Sequence, residues 1–533
     1  MVFYETLRHQ DWLIPPRIED IIDEDHVCFL VEIVVDEMDF SDIEKKHEGP
    51  GHPAYPPRGI IKTIVMGMID GVRPARKLAK NARENVVYMY LAEKLQPNFR
   101  TISDFRKENQ ELIDDCFKTV VLYARDLGMV QLGHVSIDGS KFKANASKSK
   151  TFTKDELRFL DEFIQNEIRQ GILEDEMEDK LFGRDKTGYE LPDDVKSAQS
   201  IKKELKKKFK ESGLNEKSTR RVKKLAEDYI DGDDAKKQTI EAKIKDGLEQ
   251  LEDSDIKRLN LTDPDSRLMK DKKGVFGQEY NGQIAVDAHE KIIIAADISQ
   301  SAVDTNELIP MIGTIEDIVG ELKEGTELSL DNGYFSGENV AYMEERKFDG
   351  YIPDSDQSQK MKGKSPKKNP FGKESFDYDE QNDWFICPNG KVLTSYYEYY
   401  DKRQGKTIRG YRCYDCGDCP YRNECITEKG KNFKRLKSDK YEGSRRRMKQ
   451  KMDTEQGRAK YKTRGKIVEH PFGDIKANMG FRGFLTRGKT RVKTEFKLAC
   501  IAHNIKRIAS FISRQFGSIK NYLSTVRMHG INC

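Results

Sequence analysis

Apolar residues recur at helical spacing through the first 130 positions: Ile18, Ile21 and Ile22, then Phe29, Leu30, Ile33 and Val34. Such spacing gathers them on one face and predicts amphipathic helices. Gly49-Pro-Gly-His-Pro-Ala-Tyr-Pro-Pro57 interrupts them as a breaker-dense loop. Helical patterns resume over 60–66, 76–83 and 86–91, and Pro97 breaks them again. Thr101-Ile-Ser-Asp-Phe-Arg106 opens a further helix with Thr101 or Ser103 as its N-cap. Short basic helices joined by tight turns fit a helix-turn-helix reader of DNA; an ordinary bundle with a solvated basic face is the alternative.

From residue 133 the pattern becomes strand-like. Gly133-His-Val-Ser-Ile-Asp138 reads as a strand ending in a carboxylate, with Gly139 terminating it. Residues 280–287 and 291–298 read as two strands around a turn at Ala288-His-Glu-Lys, and a helix follows over 307–321. Thr326-Glu-Leu-Ser-Leu-Asp331 is another strand ending in a carboxylate, and 348–353 a short further one. Strands mixed with helices in this order predict an α/β fold with mixed strand directions. Residues 148–262 differ: rich in Lys and Glu, with helical spacing at Leu157, Leu160, Phe163, Ile164 and Ile168. They predict long exposed helices, a hairpin of coiled-coil type, carrying no chemistry. Residues 355–372, polar and rich in Lys and Ser, read as a flexible loop. A helix around Glu469 places Pro471 best in a first turn. Closing helices follow, one over 492–511.

Length and charge refine this. The 533 residues suggest three or four domains. Net charge is +3, but residues 1–50 carry 14 acids against 4 Lys/Arg, and residues 58–107 carry 11 Lys/Arg against 4 acids. Residues 429–497 carry 23 Lys/Arg against 7 Asp/Glu, the mark of a polyanion-binding surface. No apolar run approaches the roughly 18 residues of a membrane span. The opening Met-Val-Phe-Tyr-Glu has no basic or apolar leader pattern, so a cytoplasmic, nucleoid-associated protein is expected. Five of the nine Cys fall between 387 and 425, a spacing that suits metal better than bridges.

Two Asp at strand ends, Asp138 and Asp331, and an acid on a later helix, Glu469, are the candidate catalytic set. Three carboxylates at one point repel unless cations neutralise them, and Mg²⁺ prefers such oxygen ligands. Two ions about 4 Å apart suit an in-line phosphoryl displacement. Tyr461, Arg464 and Lys476 flank Glu469 and would hold phosphates. The competing acids have structural readings. Asp287 fits a turn, Asp304 a cap for the following helix, Glu495 a partner for Arg or Lys, and His470 packing or capping. Gly483-Phe-Leu-Thr-Arg-Gly-Lys-Thr490 matches a phosphate-loop spacing, but no apolar strand leads into it. Its Arg487, Lys489 and Arg491 fit DNA-backbone contact instead. Cys413, Cys416, Cys419 and Cys425, with Cys387 upstream, suit a tetrahedral structural Zn²⁺ drawn from four of the five thiols.

These stretches resemble the insertion-sequence DDE transposases of bacteria, the branch with an RNase H-like catalytic core. Phe-Arg-Thr-Ile-Ser-Asp-Phe-Arg106 resembles the end of that family's DNA-end-binding helices. Val135-Ser-Ile-Asp-Gly-Ser and Leu330-Asp-Asn-Gly-Tyr-Phe resemble its first two catalytic stretches, and Val468-Glu-His-Pro-Phe-Gly-Asp-Ile-Lys the third. Tyr461, Arg464 and Lys476 match its signature, with the Arg–Glu spacing one residue longer than the commonest form.

The resemblance implies an enzyme in which Asp138, Asp331 and Glu469 hold two Mg²⁺, with Mn²⁺ as a substitute. Its partner would be double-stranded DNA, both terminal inverted repeats and target, bound by a homodimer. It implies a helical end-binding domain over 1–130, with Arg76 and Arg106 contacting DNA. The core would be split over 131–147, 263–354 and 441–533, with insertions at 148–262 and 355–440. A magnesium-dependent nuclease that only hydrolyses, or an inactive DNA-binding descendant, are the alternatives.

Overall fold

The structure, a computed structural model, describes residues 17–46, 53–166, 205–210, 212–271, 274–365, 369–402, 405–427 and 432–529. Part of the expected breaker loop, residues 47–52, and the centre of the charged insertion, 167–204, lie outside them.

The N-terminal part is helical, as its periodicity predicts. Helices α1 (Cys28–Asp36), α2 (Pro57–Ile69), α3 (Ala75–Glu84), α4 (Phe99–Glu108) and α5 (Gln110–Asp126) form its body. The cap of α4 is Asn98, whose side chain accepts the N–H groups of Arg100 and Thr101; Thr101 and Ser103 lie inside the helix. An Asn side chain satisfies these orphan donors as well as Ser or Thr would.

The central sheet contains β1 (His134–Lys143), β2 (Arg267–Lys270), β3 (Phe276–Asp287), β4 (Ile293–Ser299), β5 (Glu327–Leu330) and β6 (Asp349–Tyr351). Its order is β2–β3–β1–β5–β6, with β4 also on β3. β3 runs antiparallel to β1, β2 and β4, whereas β1, β5 and β6 are parallel. The sheet is therefore mixed, as expected. β1 does not stop at Asp138 but continues five residues to Lys143. Gly139 is a point of close approach: a β-carbon there would stand 2.4 Å from Gln283 Nε2 and 2.6 Å from Asp304 Oδ1.

Helices α6 (Glu216–Ile230) and α7 (Asp234–Glu252) form the expected hairpin in the insertion. Asp233 caps α7 by accepting the Lys236 N–H. The insertion buries its own apolar cluster, including Phe152, Leu157, Leu160, Val222 and Ile244. Helices α8 (Leu308–Val319) and α9 (Gly337–Glu345) follow the strands of the core. The stretch after 354 begins as a helix, Ser355–Met361, because Asp354 and Gln357 form a reciprocal capping box. The Cys-rich segment is a second, antiparallel sheet: β7 (Asp377–Asp379), β8 (Trp384–Ile386), β9 (Val392–Asp401), β10 (Lys406–Cys413) and β11 (Arg435–Ser438).

Three helices close the chain's core: α10 (Glu442–Asp453), α11 (Glu455–Gly473) and α12 (Lys489–Phe516). Pro471 lies in the last turn of α11, not its first. It lacks the N–H for a helical hydrogen bond, and a π-turn over Asp474–Asn478 follows directly. α12 is bounded by Gly488 (φ 83°) and Gly517 (φ 80°), conformations that glycine adopts without steric cost. Asn504 of α12 accepts the Ile293 N–H and donates to the Ile293 carbonyl, both at 2.8 Å, which satisfies backbone groups of edge strand β4. One apolar cluster runs from the N-terminal helices through the sheet to α12, so those helices are packed onto the core.

Candidate active site

The parallel register of β1 and β5 pairs Ile137 with Leu330. The next residues, Asp138 and Asp331, thus stand side by side at the point where β5 ends. Asp331 Oδ1 accepts the Gly333 N–H at 2.7 Å, which fixes the carboxylate at the head of a tight turn. Asp138 also accepts the Gly139 N–H at 2.9 Å.

Side chains alternate along β1, so Asp138, Ser140 and Phe142 share a face. Helix α11 and the π-turn cover that face. Arg464 Nη2 pairs with Asp138 Oδ1 at 2.7 Å, the two side chains being 13% and 18% exposed. Lys476 Nζ donates to Ser140 Oγ at 2.6 Å and to the Lys141 carbonyl at 2.8 Å, above the Phe142 ring. Phe472 packs against Phe142. Tyr461 lies one turn before Arg464, close enough for the two to perturb each other's charge.

The electrostatics follow from this crowding. Burial raises the Asp138 carboxyl to about 6; Arg464 pulls it down, while Asp331 and Asp304 push it up. Burial also raises Tyr461, against the effect of Arg464. Arg464 holds its proton more firmly than usual because Asp138, Tyr461 and Asp331 outweigh burial. Its Nε is buried with no hydrogen-bond partner among the described residues. A buried unpaired donor is costly, and a phosphate oxygen would satisfy it.

A fourth acid belongs to this centre. Asp304 does not cap α8, contrary to expectation. Its Oδ1 accepts from Asn281 Nδ2 and Gln283 Nε2, both at 2.7 Å. It fills the space that the missing side chain of Gly139 leaves, on the side of β1 opposite Asp138. A β-carbon at Gly333 would stand 2.9 Å from Asp331 Oδ1 and 3.1 Å from Asp304 Oδ2. Burial raises the Asp304 carboxyl, Asn281 and Gln283 lower it, and Asp331 raises it. Tyr334 donates to Gln283 Oε1 and completes the network. Two amides at alternate positions of β3, Asn281 and Gln283, were the available sequence signal.

Glu469 lies on α11, exposed, with no hydrogen-bond or ion-pair partner among the described residues. Among those residues no three His, Cys, Asp or Glu converge closely enough to hold a metal ion. Asp331 perturbs the charge of Asp138, but the three candidate acids do not close around a common point. The same holds for the thiols. Cys387, Cys413, Cys416, Cys419 and Cys425 are close enough to perturb one another's charge, yet do not close around a common point. Burial and Cys416 push the Cys413 thiol up to about 12.

The remaining candidates divide. Arg76 is exposed and stacks 3.9 Å from the Phe99 ring centroid. Arg106 is turned inward: its Nη1 donates to the Arg73 carbonyl at 2.9 Å. Arg73 in turn donates to the Gly483 carbonyl and lies 3.7 Å from Glu495 Oε1. Glu495, buried, accepts the N–H groups of Leu485 and Thr486. It is the structural partner its position suggested. Arg487 and Lys489 are exposed, Arg487 donating to the Asn145 carbonyl. The phosphate-loop match is filled internally. Asp263 accepts the Gly488 N–H and Asp265 the Lys489 N–H, so carboxylates of this chain already occupy those amides.

Two family models match the chain. Residues 386–509 match one described as "Transposase DDE domain", which spans most of the Cys-rich sheet, all of α11 with Glu469, and most of α12. Residues 16–108 match one described as "Transposase domain (DUF772)", the helices from the N-terminus through α4. No curated protein and no solved structure matches the chain.

Proposed function

The chain belongs to the insertion-sequence DDE transposases, and from that premise we propose that it cuts DNA at the ends of its element and joins them to a target. Asp138 and Asp331, level across adjacent parallel strands beneath Arg464, are the observation that carries this reading. The sheet order, with one antiparallel strand beside three parallel ones, supports an RNase H-like core.

The donors fit Mg²⁺. They are hard carboxylate oxygens, crowded enough that burial and mutual repulsion disfavour ionisation of Asp138. Asp138, Asp331 and Glu469 would hold two ions, whose chemistry is to activate the attacking oxygen and stabilise the leaving one. Glu469 would have to approach the Asp pair as DNA binds.

The chain's own groups do the rest. Arg464, already in place and with a donor to spare, holds a phosphate oxygen of the scissile strand. Tyr461 fixes the Arg464 guanidinium. Lys476, anchored to Ser140 two residues beyond Asp138, carries its charge along the same strand face. The exposed Arg76, Arg487 and Lys489 grip the backbone, with affinity falling steeply as salt rises. Two ends must be cut together, so the working form is a homodimer on DNA.

The test is cleavage and strand transfer on a duplex carrying the element's terminal repeats. Asp138→Asn, Asp331→Asn and Glu469→Gln should each abolish both steps and leave end binding intact. Normal cutting by any one of them removes that residue from the centre. A protein that cleaves but never joins a precut end is a nuclease instead.

A further inference from the structure

The outer face of the Cys-rich sheet carries features that catalysis does not use. Its register slips between Ser395 and Tyr397 of β9. Before the slip Leu393 points into the apolar cluster of this sheet. After it, Tyr397 and Tyr399 fall on the other face, since a bulge re-aims the side chains beyond it. Their rings lie 5.8 Å apart and 16° from parallel. Tyr397 lies flat over Gly410 of β10, where an added β-carbon would stand 1.9 Å from the ring. The glycine thus makes room for the ring against the backbone.

Cations share this face. Arg412 of β10 stands directly opposite Arg435 of β11, and Lys437 stands opposite Gly410. Lys437 is exposed, lies 5.4 Å from the Tyr399 ring centroid and donates to its hydroxyl at 3.4 Å. Arg412 also lies 3.6 Å from the Phe433 ring centroid and 4.6 Å from that of Tyr414, so cations and aromatic faces alternate here. Arg412 Nε is buried and has no hydrogen-bond partner among the described residues.

Near-parallel aromatic rings interleaved with cations are what a single strand of nucleic acid requires: faces for bases and charge for phosphates. We propose that Tyr397, Tyr399, Arg412, Arg435 and Lys437 bind unpaired bases and phosphates of the DNA strand that the enzyme exposes at the cut end. This rests on the transposase reading and extends it with a second DNA surface, one that reads unpaired strand.

The full-length protein should be titrated into a fluorescent thymidine oligonucleotide of about 20 nucleotides, and separately into a terminal-repeat duplex, by anisotropy. The Tyr397→Ala/Tyr399→Ala variant should bind the single strand about tenfold more weakly or worse, with duplex binding retained. Tyr397→Phe/Tyr399→Phe should stay within about twofold, because the rings remain. Lys437→Gln should reduce the salt slope for the single strand by about 0.7. In the unaltered protein, a 5-bromouracil strand irradiated in the complex should crosslink to Tyr397 or Tyr399. Unchanged single-strand affinity in the double Ala variant, or crosslinks only elsewhere, overturns the proposal. A protein that cuts element ends yet ignores the thymidine strand loses this surface alone. One that binds neither DNA loses the transposase mechanism as well.

Discussion

Removing the Arg464 guanidinium should destabilise the fold by an amount that grows with pH. The pair with Asp138 is mostly buried, at 2.7 Å. Breaking such a pair from one side costs about 3–5 kcal/mol, because a carboxylate is left in a poorly solvated site. Asp138 titrates from its ordinary 3.8 up to about 6 on folding. Between those values the folded state keeps a proton that the unfolded state has lost. This group's contribution to stability is therefore fully present below pH 4 and is lost as pH rises through 6, by about 3 kcal/mol for a shift of this size. Arg464 opposes the shift, so Arg464→Ala drives Asp138 further up and prolongs the fall to higher pH. At pH 5 the variant's Asp138 is protonated when folded and misses little. By pH 8, two pH units above the Asp138 titration, the deficit should reach about 2–3 kcal/mol. Urea unfolding of the main transition at the two pH values measures this, and Asp138→Asn/Arg464→Ala, which has no carboxylate to titrate, is the control. Equal deficits at both pH values, a deficit under about 1 kcal/mol at pH 8, or the same pH trend in the control would refute the electrostatic account.

Three further outcomes are expected. Gly139→Ala should lower stability by about 1–3 kcal/mol and impair cleavage, since its β-carbon meets Gln283 and Asp304; thermal unfolding and an end-cleavage assay check both. Glu495→Ala should cost about 3–5 kcal/mol by stranding Arg73 and two loop amides. Limited proteolysis should then release the N-terminal helices early, and an unchanged digestion pattern would count against that junction. The Cys-rich sheet should bind one Zn²⁺ per chain through four of its five thiols, lost on chelation. Metal analysis of purified protein decides this, and zinc-free protein with unaltered melting of that sheet would rule it out.

How far the residues announce this arrangement depends on whether a feature is local. Strand and helix positions were legible because period and breakers are read within a few residues; β1 and β5, α11 and the insertion hairpin all follow from them. The Asp138–Asp331 pairing was legible too, since each follows a short apolar run and the parallel register brings the two runs level, although β1 continues past Asp138. What escaped depends on partners distant in the chain. Gly139 reads as a terminator, yet serves Asp304, 165 residues later. Asp304 looks like a cap because it precedes a helix, whereas Asn281 and Gln283 offer it stronger donors than the helix does. Arg106 looks like a DNA contact until the Arg73 carbonyl and Glu495 draw it inward.

The same reasoning accounts for Glu469. Its helix and the π-turn after it are drawn down on β1 by Arg464 and Lys476, which pair with β1 groups of this chain. Glu469 itself has no such partner, and nothing in the DNA-free protein repays bringing a third carboxylate to a pair that already repels. In the proposed centre, counter-cations and the polyanionic substrate would offset that repulsion. On that reading magnesium without DNA should already draw Glu469 toward Asp138 and Asp331, and a Glu469 that magnesium does not move would count against it as the third ligand.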